Sequence, residues 1–162
     1  MAKLTTREVI DGLVSRGLPE HVAKGFAMNA IDESGLETGI EEAEYNVHGT
    51  KGYGLFQWTG DRRDKLYARA KSRGVHPSDK DLQLDLVVEE LNGPEKRARD
   101  AIYATTSPGA AGAAIVSKFL RPAKKHEVER VARYTGRDGN VQWDFEGHAD
   151  ADGFQNAEID PN

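Results

Sequence analysis

Glu33 stands near the end of the string Asn29-Ala-Ile-Asp-Glu33-Ser-Gly35, and 21 positions further on begins Gly54-Leu-Phe-Gln-Trp-Thr59. Together these strings supply one carboxyl at the end of an apolar helix and a glycine-spaced set of amide, indole and hydroxyl groups. That is a way to set a single acid beside a sugar cleft, and it points to cleavage of a glycan. Glu33 lies three residues beyond Ala30 and seven beyond Phe26, on the edge of the apolar stripe, whereas Asp32 is rotated by about 100°. A carboxyl against apolar surface is desolvated, so its pKa rises toward the working pH. It then stays protonated until it can give its proton to a glycosidic oxygen. The plainer alternative is a solvated glutamate at a helix C-terminus.

The elements that must position these groups are mostly helical. Thr5-Thr6-Arg7-Glu8 reads as a capping box, with Val9, Ile10, Leu13 and Val14 following at helical spacing until Gly17. Pro19 opens a second helix with a stripe of Val22, Ala23, Phe26, Ala27, Ala30 and Ile31. From Gly35 to Trp58 the periodicity collapses among glycines at 35, 39, 49, 52 and 54, which predicts loops and a short irregular hairpin around His48 to Phe56. Further helices are expected over Asp61 to Arg73, from an N-cap at Ser78 to Asn92-Gly93, after Pro94, from Ser107-Pro108 to Arg121-Pro122, and up to Tyr134. The pattern implies a mainly α domain over 1–136 and an acidic, glycine-containing tail over 137–162, in which Trp143 could pack.

Composition narrows the alternatives. The 162 residues carry 22 Lys+Arg against 27 Asp+Glu, a formal net charge of −5, which argues against nucleic acid or an anionic membrane as partner. There is no cysteine, so a disulfide framework and a thiolate metal site are both excluded. No apolar run approaches the length of a spanning helix, and the N-terminus lacks a signal h-region. The expectation is synthesis in a cytoplasm without a signal peptide and action elsewhere. The five histidines form no His-Glu-x-x-His, so a zinc peptidase is not expected and no metal or cofactor is called for. Asp150-Ala-Asp152-Gly153 departs from a calcium loop in its glycine and glutamate positions.

Glu33-Ser34-Gly35, Gly54-Leu55-Phe56-Gln57-Trp58-Thr59-Gly60, Gln83-Leu84 ahead of Glu89-Glu90-Leu91, and Phe119-Leu120-Arg121-Pro122 occur in an order that resembles the phage tail lysozyme family. That family is similar to goose-type lysozymes and soluble lytic transglycosylases, which share a Glu-Ser and a Gly-Leu-x-Gln motif. The resemblance covers roughly residues 20 to 135. It implies a lysozyme-like fold with a small β-hairpin element beside the active-site cleft, acting on the MurNAc–GlcNAc β-1,4 bond of bacterial peptidoglycan. It also implies a phage setting, with other virion proteins as partners; the protein itself is expected to be a monomer.

Carried over position by position, the resemblance makes Glu33 the catalytic acid and places Gln57 in the substrate groove opposite it. Gly52 and Gly54 would let backbone approach a sugar closely, and Gln57 offers a donor and an acceptor to an N-acetyl group or hydroxyl. Tyr53 and Trp58 could stack on sugar or merely pack, and His48 sits in the glycine-rich stretch near the groove. Arg121 matches a position that ties the last helices to the catalytic lobe. The chain departs from the goose-type pattern where an aspartate can follow the motif glutamine by two residues, because that position is Thr59. Three readings stay open. One of the loop acids Glu41, Glu42 and Glu44 could act as base, Glu42 first because it lies nine residues from Glu33. Thr59 could position the water. Or no second carboxylate is needed, and the sugar's own N-acetyl group and 6-hydroxyl complete a transglycosylation.

Overall fold

Two reciprocal hydrogen bonds start the fold: Thr5 Oγ1 accepts from the Glu8 N–H at 3.0 Å and Glu8 Oε1 accepts from the Thr5 N–H at 3.1 Å. They complete the capping box ahead of α1, Thr6–Ser15. The computed structural model describes residues 3–42 and 51–136. After α1 come α2, Glu20–Ser34, α3, Gly60–Arg73, α4, Lys80–Asn92, and α5, Lys96–Tyr103. Helix α6, Pro108–Ala114, runs on into a π-helical segment, Ile115–Leu120, and α7, Lys124–Thr135, follows. The mainly α, lysozyme-like architecture expected from the sequence is therefore what forms. The acidic tail over 137–162, with Trp143, falls outside the described residues, as do Glu44, His48 and the start of the predicted hairpin.

Helix α2 is the centre of the molecule. The sequence suggests a one-sided stripe, but Val22, Ala23, Gly25 to Ile31 and Ser34 are all buried, because α1, α6 and the π-helical segment pack on it and Arg130 and Tyr134 of α7 reach it with their side chains. Small residues make the closest of these contacts possible. A Cβ at Gly25 would stand 2.7 Å from the Gly112 backbone nitrogen and 3.0 Å from Ala111 Cβ, so α2 and α6 meet nearly backbone to backbone. Phe26 packs edge-on against Phe56 at 5.6 Å and Phe119 at 5.3 Å, contacts that contribute about 0.5–1.5 kcal/mol each beyond burial. One aromatic of α2 thus anchors both the glycine-spaced segment and the π-helical segment.

The β element is made of isolated antiparallel bridges. Tyr53 and Trp58 exchange N–H···O bonds of 3.0 Å each, and Tyr53 also pairs with Glu41. Two of the expected helix starts need comment. Ser107 Oγ accepts from the Ala110 N–H at 3.1 Å with Pro108 in the first turn, as its sequence indicates. Helix α4, by contrast, is capped by Asp79, whose Oδ2 accepts from the Leu82 N–H at 2.9 Å, and not by Ser78. The Ser78 hydroxyl is instead 2.8 Å from His76 Nδ1, so the neighbouring aspartate takes the cap. Among the described residues no helix is long and apolar enough to cross a membrane.

Candidate active site

The last turn of α2 and the glycine-spaced segment are joined by Ser34. Its hydroxyl donates to Ala30 O at 2.9 Å and lies 2.8 Å from Leu55 O, while the preceding residue, Glu33, remains 14 % exposed. The serine thereby stitches the Gly-Leu-Phe-Gln segment to the acid-bearing turn. From the other side Gln83, fully buried, accepts from the Leu55 N–H at 2.9 Å and donates to Thr38 O and Pro77 O at 2.7 and 2.8 Å. Gly54 is required here twice over: its φ is +84°, and a Cβ would lie 2.8 Å from Gln83 Nε2.

Gln57 also has a left-handed backbone, φ +52°, a conformation that costs a non-glycine residue roughly 1 kcal/mol. Its own amide repays part of this locally, because Nε2 donates to Gly54 O at 3.0 Å and Ile40 O at 3.2 Å. The donor half of Gln57 is thus spent on the turn, and Oε1 is the atom left for a ligand. Gly52 packs under it: a Cβ there would stand 2.8 Å from Gln57 Oε1.

Of the two aromatics, Trp58 is 2 % and Tyr53 7 % exposed. The indole donates to Glu90 Oε1 at 2.9 Å, and the Tyr53 ring meets Tyr67 edge-on at 5.4 Å. Both rings are thus packed against protein groups. Thr59 is the N-cap residue of α3 but makes no side-chain cap bond; its backbone oxygen takes the Arg62 and Arg63 N–H groups at 3.1 and 3.2 Å. Glu41 turns toward α3, where Arg63 Nη2 reaches its Oε2 at 2.6 Å and Arg63 Nη1 reaches Lys51 O at 2.7 Å. Glu42 is exposed, and its Oε2 accepts from the Gly52 N–H at 2.7 Å. Arg121 pairs with Glu95 at 2.6 Å, joining the end of the π-helical segment to the start of α5.

The acid itself is governed by groups the sequence reading passed over. Arg130 of α7 donates through Nη1 to Glu33 Oε1 at 2.8 Å, and the same atom lies 3.4 Å from Asn29 Oδ1. Asn29 is fixed in turn, since its Nδ2 donates to Gly25 O at 2.9 Å and Gly112 O at 3.1 Å. Next to it, Asp32 accepts from Arg133 at 3.0 Å and from the Tyr134 hydroxyl. Burial, and then the charge of Asp32, holds that hydroxyl well above its ordinary pKa, so it acts as a neutral donor. For Glu33, burial pushes the pKa up, the charge and hydrogen bond of Arg130 pull it down, and the negative charges of Asp32 and Glu42 push it up again. The net is upward. A carboxyl in this state can give a proton to a neighbouring oxygen at a pH where an ordinary glutamate has already lost it. The signal that could have found Arg130 is its four-residue spacing from Tyr134, which sets an arginine on the inward face of the last helix. Among the described residues no group of histidines and acids could hold a metal ion.

Helices gathered on one buried helix, with a glycine-spaced turn tied against its acid-bearing end, define a lysozyme-like protein. The chain matches the phage tail lysozyme family over residues 5–138 and belongs to that family. Membership makes it a lysozyme-like protein with peptidoglycan as its substrate class. Among curated proteins no sequence matches the chain.

Proposed function

We propose that the protein is a muramidase that cleaves the β-1,4 bond between MurNAc and GlcNAc, with Glu33 as general acid. One observation supports this most: Glu33 is largely buried yet accepts a hydrogen bond on Oε1 alone among the described residues, and its pKa is raised. In the reaction the Glu33 proton passes to the glycosidic oxygen, the C1–O bond breaks, and positive charge develops at the anomeric carbon and ring oxygen. Water then adds its hydroxyl to C1 and gives a proton to a base. Glu42 is our choice for that base, since its charge is felt at Glu33; Thr59 is the alternative group for orienting the water. Gln57 Oε1 and the Gly54 backbone would line the groove on the opposite side.

A lytic transglycosylase reading of the same site has one observation in its favour. Glu42 is exposed and its Oε2 is already occupied by the Gly52 N–H, so the 6-hydroxyl of the sugar could take the place of water and close a 1,6-anhydro ring. Mass analysis of the muropeptides released from purified peptidoglycan separates the outcomes. Reducing MurNAc ends support hydrolysis, 1,6-anhydro ends support transglycosylation, and no release by folded protein supports a non-catalytic wall-binding or virion structural role. Under hydrolysis, Glu42→Gln loses rate without losing fold if Glu42 is the base, and Thr59→Ala does so if Thr59 positions the water. The family's phage setting supports a virion component that opens the wall during infection, or a lysin. The domain division proposed is 1–136 catalytic and 137–162 tail.

A further inference from the structure

We propose that Arg130 is the positioning residue of this site: by holding Glu33 Oε1 as an acceptor, it confines the dissociable proton to Oε2. The inference rests on the reading of Glu33 as the acid. A guanidinium carries five donors and no acceptor, so a proton on Oε1 would face the Arg130 N–H that is 2.8 Å away. The neutral acid must therefore carry it on the other oxygen, which accepts no hydrogen bond from any described residue. Arg130 is itself immobilised, since its residue is only 9 % exposed and Nη1 lies between Asn29 and Glu33, one helical turn apart on α2. Asn29 fixes this geometry by bonding α2 to the Gly112 carbonyl of α6. The closeness of α2 and α6 at Gly25 and Gly112 thus ends at the orientation of a proton.

The same ion pair sets the pH at which that proton is lost. Among the described residues, every charged group facing Glu33 belongs to one of three places. On α2 there is Asp32; ahead of the glycine-spaced segment there is Glu42; and on α7 there is Arg130, with Arg133 and Tyr134 acting through Asp32. Helix α6 has no titratable side chain. On α1, Arg7 pairs with Asp11 and Glu8 with Lys80, and Lys118 of the π-helical segment is exposed. Among the described residues Arg130 is accordingly the one cation in contact with the Glu33 carboxyl, and it opposes burial, Asp32 and Glu42.

The test is a carboxyl titration by NMR of protein labelled with [δ-13C]glutamate, with the Glu33 resonance assigned as the one missing from Glu33→Gln. In Arg130→Met the Glu33 pKa should rise by about 1–3 units, the range by which a neighbouring arginine shifts an acid, and the alkaline limb of wall-cleaving activity should move with it. An unmoved Glu33 titration in folded Arg130→Met overturns the proposal and marks Arg130 as structural. Arg130→Lys decides the orientation role even if Arg130→Met does not fold. The ammonium keeps the charge but lacks the rigid planar guanidinium that seats Nη1 between Asn29 and Glu33, so the pKa should hold while kcat falls at least about tenfold; unchanged kcat overturns it. Because the titration is read without substrate, a shifted pKa in a protein that releases no muropeptides would sink the proposed function and leave the Arg130 effect on the carboxyl standing.

Discussion

Two glutamates in this protein each meet an arginine and an inward-facing helix, yet they are built for different ends. Glu90 is 3 % exposed, and both of its oxygens are taken: Oε1 by the Trp58 indole at 2.9 Å and Arg62 Nη2 at 3.1 Å, Oε2 by Arg62 Nε at 2.6 Å. Arg62 goes on to donate to Phe119 O at 2.7 Å and lies over the Phe119 ring at 4.6 Å, so the cluster locks α3, α4 and the π-helical segment together. Glu33 has one arginine bond, one oxygen with no donor among the described residues, and a raised pKa. A carboxylate saturated with donors is held still and does structural work. A carboxyl given one donor and a dry surround keeps a proton that can leave.

Exchanging each acid for a neutral group should break the two halves of that contrast in opposite ways. Glu33→Gln is expected to lower wall-clearing rate by about 10²–10⁴, the span general acids supply, while thermal denaturation shows Tm unchanged or slightly higher. Glu90→Ala should reverse the pattern. It strands the Arg62 guanidinium and the Trp58 N–H, and losing one partner of a buried pair costs about 3–5 kcal/mol, with the lower end expected because Arg62 is 24 % exposed. Urea unfolding would register this, and activity per folded molecule should survive.

Smaller effects sharpen the comparison. Gly54→Ala combines a φ of +84° with a Cβ placed 2.8 Å from Gln83, so a loss of about 1–3 kcal/mol is expected; a variant as stable as the wild type would show that the Gln83 hub yields easily. The smallest effect is a pH dependence of stability. A carboxyl whose folded pKa is raised makes its contribution below the unfolded value and loses it as pH climbs through the folded one. The stability of wild type relative to Glu33→Gln should therefore decline across that window and level off above it. A difference that grows in favour of the wild type would mean that Arg130 outweighs burial.

Much of this was readable from the chain because local rules and global packing agree. Thr5 and Glu8 cap α1, Ser107 and Pro108 open α6, and Gly35 and Gly74 end α2 and α3 in the left-handed conformation, each through chemistry contained within a few residues. Glu33 was legible as a carboxyl on the margin of an apolar stripe. Arg130 was not, since it reaches Glu33 across 97 positions of sequence, and its spacing from Tyr134 marks a helix face without naming the acid that face meets. Trp58 illustrates the same limit: an indole in a glycine-spaced segment reads equally as a sugar platform or a core residue, and its partner Glu90 lies 32 residues away. The π-helical run at Ile115–Leu120 follows from no single residue type; within it Phe119 meets Phe26 and Arg62, both far away in sequence.

The most direct measurement sets two titrations of the wild-type protein side by side: the Glu33 carboxyl followed by NMR in the free protein, and the alkaline limb of kcat/KM for muropeptide release. If Glu33 gives the proton that breaks the glycosidic bond, the limb falls at the pH where the carboxyl ionises, above the ordinary range of a glutamate. A Glu33 that ionises well below the limb, so that the enzyme works at full rate after its supposed acid has lost its proton, would contradict the account.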